Sequence, residues 1–140
     1  MALKAKRVDI WAGGVVDRPG KLAEKLTVLA EAGAELEYVL ARRAPEKPGT
    51  GVVFLAPIRG VRQGKAAKAA GLHKSKSIHA VHVEGPDKPG LGACITGALA
   101  AKGINLRGLS AGVIGKRFVL WIALDSAADA AKAVRILKRL

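Results

Sequence analysis

The residues best placed to do chemistry stand in two short loops, Asp17-Arg18-Pro19-Gly20 and Asp87-Lys88-Pro89-Gly90, each between an apolar run and a stretch of helical periodicity. Proline is favoured at a helix start because its missing N–H would be unpaired there anyway. Helices are therefore expected to open close to Pro19 and Pro89, with the preceding Asp capping free N–H groups of the first turn. A helix N-terminus offers unpaired donors and a partial positive charge, which suits a ligand carboxylate, while the neighbouring Asp suits an ammonium group. A free amino acid carries both. The same Asp would serve equally well as a cap and nothing more, so the residue types leave both uses open.

The two loops belong to an internal repeat. A shift of 70 residues aligns DRPGKLAEKLTVLAEAGAEL from Asp17 with DKPGLGACITGALAAKGINL from Asp87 without a gap. Each copy reads as strand, helix, strand, strand, helix. The first strands are Val8 to Val16 and Ile78 to Gly85, and the first helices stop at Gly33 and Gly103. Second strands follow at Glu35 to Arg42 and Asn105 to Val113, hairpin partners at Val52 to Ala56 and Phe118 to Leu124, and closing helices at Val61 to Ala70 and Ala127 to Leu137. The pattern predicts an α+β chain of two ferredoxin-like βαββα units, residues 1–72 and 73–140, with antiparallel sheet and helices on one face. One strand per copy is missing from that outline. The expectation is that the two first strands pair, giving one continuous six-stranded sheet that hides both open edges.

Composition narrows the function classes. Half of the 140 residues are hydrophobic, enough for a buried core. No apolar run approaches the roughly 18 residues needed to span a bilayer, and no signal-peptide core follows the basic start, so a soluble cytoplasmic protein without membrane contact is expected. Cys94, the single cysteine, falls on the apolar side of its helix and is expected to be buried. His73, His79 and His82 are the only imidazoles, and the last two point to opposite faces of a strand, so no metal site is expected. Ser75, Ser77, Ser110 and Ser126 sit in no nucleophile motif, and AGVIG (residues 111–115) joins two strands instead of opening a helix. No enzymatic activity and no cofactor are expected.

The net charge of +13 attracts anionic partners, and a nucleic-acid-binding ferredoxin-like sheet is the alternative reading. It is disfavoured because sheet-based RNA recognition uses exposed aromatics, and the first strands offer only Trp11, itself expected in a core or subunit contact. The acid-free stretch from Arg59 to Lys76 and the cluster Lys132, Arg135, Lys138 and Arg139 have the spacing of solvated helix faces.

A strand leading into Asp-x-Pro-Gly, a helix ending in Ala-x-x-Gly, and a strand opening Ile-Asn resemble the ACT domain. The second copy, GPDKPGLGACITGALAAKGINL, is the closer match, and the resemblance extends over nearly the whole chain as a tandem pair. It implies a non-catalytic regulatory module that binds a small molecule, most often an amino acid, where ACT domains pair, and hence a homodimer. Carried over by position, it implies ligand contacts from Asp17, Arg18, Pro19, Gly20, Lys21 and Leu22, and from Asp87, Lys88, Pro89, Gly90, Leu91 and Gly92. Asn105 and its counterpart Glu35 would open the next strand with a polar contact. Glu35 departs from the family's Asn, which makes the second loop the stronger candidate.

Overall fold

Alternating and helical periodicities resolve, in a computed structural model that describes residues 2–140, into eight strands and four helices among those residues. In chain order these are β1 (Lys4–Val8), β2 (Trp11–Val16), α1 (Lys21–Glu31), β3 (Tyr38–Arg43), β4 (Thr50–Ala56), α2 (Gly60–Ala69), β5 (His73–Lys74), β6 (His79–Pro86), α3 (Leu91–Ala100), β7 (Leu106–Ile114), β8 (Arg117–Leu124) and α4 (Ala127–Leu137). They form two compact units. The first is Asp9–Ser75, and the second is Lys76–Leu140 together with the N-terminal segment through Val8. This division differs from a simple cut between residues 72 and 73, because the first strand of the chain belongs to the second unit.

The expected six-stranded sheet is not what forms. There are two four-stranded sheets, ordered β3-β4-β2-β5 and β1-β6-β8-β7. Each has the complete ferredoxin-like order and is antiparallel throughout. The run read as one strand from Val8 to Val16 is broken at Asp9 and Ile10, and its two sides join different sheets. The first side, β1, pairs with β6 in the register Lys4↔Glu84, Lys6↔His82 and Val8↔Ala80. The opposite edge need is met in the first unit by the two-residue β5, which pairs Trp11↔Lys74 and Ala12↔His73. The open edges are thus closed by short segments that flank each copy, which removes the reason for the two first strands to pair with each other. Leu3 and Ala5 are the decisive residues, since alternation with Lys4 and Lys6 lets a strand as short as β1 bury an apolar face.

Each unit has its own core on the helix-bearing face of its sheet. In the second unit Val81 and Val83 of β6 and Leu120, Ile122 and Leu124 of β8 meet Leu91, Ile95 and Leu99 of α3 and Ala130, Ala133 and Leu137 of α4. The first unit is smaller in its fully buried set, with Trp11, Leu29, Val53, Leu55, Ala67 and Leu72, so Trp11 is a core residue. A buried leucine contributes about 1.5–3 kcal/mol by leaving water, and the second unit has more such residues to draw on.

Helix ends follow glycine as expected. Gly33 and Gly103 take the left-handed conformation, φ 83° and 74°, just beyond α1 and α3. Ser126 caps α4 by accepting from Asp129 N at 3.0 Å. The basic residues of α4 are exposed beside its buried Ala130, Ala133 and Leu137, the solvated face expected of them. No helix among the described residues is long and apolar enough to cross a membrane.

Candidate functional site

Both Asp-x-Pro-Gly loops turn into their helices through glycine. Gly20 (φ 86°) and Gly90 (φ 80°) are themselves the N-cap residues of α1 and α3, and neither helix has a side-chain cap. The expected capping role of Asp17 and Asp87 is therefore corrected. Each aspartate stands three residues before its left-handed N-cap glycine, outside the N-cap position from which a side chain reaches the N–H groups of the first turn. The loops themselves are built alike: Lys21 N donates to Arg18 O and Leu91 N to Lys88 O. Each Asp backbone N–H is anchored to the hairpin of its own unit, Asp17 N to Gly49 O at 3.1 Å and Asp87 N to Lys116 O at 3.0 Å.

Above these anchors the units diverge. In the first, β3 and β4 are joined by residues 44–49, whereas β7 and β8 are joined by residues 115–116 alone. The longer connection overhangs α1 and creates a cleft of about 600 Å³, lined by the β2 residues Gly14, Val15 and Val16, by Lys21, Glu24 and Lys25 of α1, and by Glu46, Lys47 and Thr50 of the hairpin. Its floor is apolar and its rim carries ammonium and carboxylate groups of both signs. Lys21 Nζ lies 3.4 Å from Glu24, a loose contact that leaves both available to a ligand. Lys25 donates to Ala70 O and so is held in place by the end of α2.

Of the residues carried over from the resemblance, only Lys21 lines this cleft. Asp17 stands outside it, exposed, with Arg43 Nε donating to its Oδ2 at 2.8 Å. Arg18, Pro19 and Gly20 are exposed in the loop, and Leu22 packs against the core of the unit. Glu35 is exposed in the connection before β3 and does not open that strand. In the second unit Asp87, Lys88, Pro89 and Gly90 are exposed, Gly92 is half-buried, and Asn105 is exposed just before β7. Leu91 is turned inward and 3 % exposed, so its side chain serves the core. Asp87 makes no ion pair among the described residues.

The sequence reading missed Glu24, Lys25, Glu46, Lys47 and Thr50. A signal was present in the extra residues Pro45 to Gly49, which have no equivalent in the second copy and lengthen its hairpin. Cys94 is exposed, contrary to expectation, because Leu91, Ile95 and Leu99 at four-residue spacing define the buried stripe of α3 and Cys94 falls beside it.

No group of three or more potential metal ligands occurs among the described residues. His82 lies instead on the face of its sheet away from the helices, 7 % exposed, with Nε2 at 2.9 Å from Glu84 Oε1 and its ring 4.1 Å from that of Trp121. Arg117 donates to the other oxygen of Glu84 at 2.9 Å. The hydrogen bond from His82, then that from Arg117, hold the Glu84 carboxyl below its ordinary value.

A family model for the ACT domain matches residues 79–140. The unit that contains this match takes its fourth strand, β1, from outside the matched segment. No curated protein matches the chain. Among solved structures, a protein of Bacteroides thetaiotaomicron superposes with a TM-score of 0.76 at 20% identity, covering 96% of this chain and 89% of that one. The regulatory subunit of aspartate kinase from Thermus thermophilus gives 0.67 at 18% identity, with coverage of 99% and 96%. Aspartate kinase from Clostridium acetobutylicum gives 0.60 at 14% identity over 98% of this chain and 34% of that enzyme. At these identities the likeness is one of fold, and it spans both units beyond the ACT match itself.

Proposed function

We propose that this is a cytoplasmic regulatory protein, a tandem pair of ACT units without catalytic activity, that binds a small molecule, an amino acid, and works as a homodimer. The ACT match at residues 79–140 and the fold shared with aspartate kinase regulatory subunits support a regulatory, ligand-binding role. The observation that carries the ligand reading is the cleft of the first unit, whose volume of about 600 Å³ falls in the range of small-molecule sites. Lys21 and Lys47 suit a carboxylate, and Glu24 and Glu46 suit an ammonium group, over an apolar floor that receives a side chain. Lys21 is the one residue of the Asp17 loop and helix start carried over from the resemblance that lines this cleft, and Asp17, Arg18, Pro19 and Gly20 precede it in the exposed loop. The second loop, from Asp87 to Gly92 with Asn105, is the other candidate, and its unpaired carboxylate suits a ligand ammonium.

Thermal shift and calorimetry against the twenty amino acids test this reading, alongside a salt-dependent nucleic-acid titration. Binding of one or a few amino acids, abolished by Lys21→Ala together with Glu24→Ala and retained by Asp87→Ala, assigns the ligand to the first unit. Loss with Asp87→Ala alone assigns it to the second. No amino-acid response, together with tight and salt-sensitive nucleic-acid binding, overturns the proposal in favour of the alternative that the net charge of +13 invites.

A further inference from the structure

One position of the repeat carries opposite chemistry in the two copies. The 70-residue shift sets Lys25 of α1 against Ile95 of α3. Ile95 is 0% exposed in the core of its unit, so the position faces inward in this fold. Lys25 is accordingly half-buried, on a helix whose Leu22, Leu26 and Leu29 pack in the hydrophobic cluster of the first unit. An ammonium at an inward position costs free energy unless it is both hydrogen-bonded and neutralised by a counter-charge.

The chain itself supplies the first of these and not the second. Lys25 Nζ donates to Ala70 O at the C-cap of α2, where the helix dipole concentrates partial negative charge. A Cβ at Gly71 would lie 3.4 Å from Nζ, so the ammonium rests against the turn that leads from α2 into β5. No carboxylate pairs with Lys25 among the described residues. The other two ammonium groups of the cleft differ. Lys21 has Glu24 at 3.4 Å, and Lys47 stands exposed in the connection between β3 and β4. Lys25 alone of the three is held by the scaffold of the unit and left without a counter-charge.

We propose that Lys25 takes the ligand's carboxylate in the cleft and, by donating to that group and to Ala70 O at once, ties the occupied cleft to the turn between α2 and β5. This rests on the first-unit cleft as the ligand site and names the residue through which its occupancy is transmitted. An ammonium has three donors, so a carboxylate takes one without displacing the carbonyl. The turn it grips carries Leu72, which is 0% exposed, and then His73 and Lys74 of β5, paired with β2. Next comes Ser75, whose N–H donates to Ile10 O at 2.8 Å, and Lys76 begins the second unit. The segment that Lys25 holds is thus one of the two places where the chain passes from one unit to the other, and a ligand that tightens it acts on that link.

Thermal shift of the full chain against the twenty amino acids, wild type beside Lys25→Met, is the first test. Methionine keeps the length of the side chain at a position where the second unit has isoleucine, so the fold is retained, which circular dichroism checks. The amino acid that shifts the wild type most should bind Lys25→Met roughly tenfold or more weakly by calorimetry, through loss of one charge-assisted hydrogen bond. Hydrogen exchange of the wild type with that amino acid reads the bridge without any variant. The amides of Gly71 and Leu72, which donate to Lys68 O and Ala67 O, should exchange severalfold more slowly. That of Glu37, which donates to Ala56 O at the far end of the β3–β4 hairpin, should not change. Equal slowing at all three reports general stabilisation and overturns the bridge, as does slowing at none of them. Binding that Lys25→Met retains, and that Lys21→Ala with Glu24→Ala abolishes, overturns the inference and leaves the first-unit site standing. A wild type that responds to none of the twenty overturns both.

Discussion

The two units share a topology and differ in what they do with its ends. In the first, six connecting residues between β3 and β4 build a charged overhang above α1, and the loop aspartate is engaged by Arg43 on β3. In the second, a two-residue turn leaves Asp87 without an ion pair, and the charges of α1 are replaced by Leu91, Cys94 and Ile95. Lys21, Glu24 and Lys25 occupy the same three helical positions in the first copy. The two copies of the 70-residue repeat thus share the punctuation that makes the fold and differ at the positions that make a surface, polar and concave in the first and apolar in the second.

The largest effect should come from removing the segment the second unit borrows. Deleting residues 2–8 exposes the β6 edge and takes Leu3 and Ala5 out of a core in which they are 7% and 6% exposed. A loss of roughly 3 kcal/mol or more is expected, confined to the second unit and visible as a separate early transition in urea. A single transition with unchanged midpoint would mean that β1 is dispensable and the borrowed-strand comparison is wrong.

Next in size are two glycines that sit where a fourth-strand segment crosses the first strand of its sheet. A Cβ at Gly13 would lie 2.4 Å from Gly71 O, a backbone atom that cannot move alone, whereas at Gly85 it would meet the end of the Leu3 side chain at 2.4 Å. Gly13→Ala is expected to cost about 1–3 kcal/mol, and Gly85→Ala less, because Leu3 can change rotamer. Chemical denaturation of the two variants decides the order, and the reverse order would show that β1 is held more rigidly than the chain before β5.

These differences explain what the sequence made legible. Glycine stops, the 70-residue repeat and the period of each helix fixed the elements because they depend on local backbone physics: Gly33 and Gly103 end their helices as read. The sheet pairing was misread because Leu3 and Ala5 look too few to be a strand until a partner edge is known, and partner edges are not local. The capping error has the same origin. Asp before Pro-Gly reads as a cap, yet the left-handed conformation of Gly20 and Gly90 moves the helix start past it. The cleft residues escaped notice because Glu46 and Lys47 stand 25 and 26 residues after Lys21, in a turn whose composition is that of any surface loop.

A smaller effect should separate the units by pH. Glu84 is held below its ordinary value by His82 and Arg117, so its ionised form is favoured in the folded second unit. A depressed carboxylate gives stability that is fully present above the unfolded value near 4.5 and is lost as pH falls through the lower folded value. Unfolding followed from pH 7 to pH 3 should therefore show the second unit weakening below about pH 4.5, with Glu84→Gln flattening that part of the profile. The side chain is 36% exposed, which screens the interaction and keeps the effect modest. An unaltered acid limb in Glu84→Gln would assign the acid sensitivity to another carboxylate.

The smallest expected effect is on stability at Cys94, and its value is as a discriminator. Because the thiol is exposed beside the buried stripe of Leu91, Ile95 and Leu99, Cys94→Ser should change stability by no more than about 0.5 kcal/mol. A buried thiol at that position would instead leave an unsatisfied hydroxyl on substitution, costing about 1–3 kcal/mol. The same exposure predicts reaction of the native protein with a thiol reagent at the rate of the unfolded chain, within a small factor. Slow labelling that speeds up on dilution would mean that α3 is covered when a second copy is present, and would place the exposed face of α3 in the contact between copies.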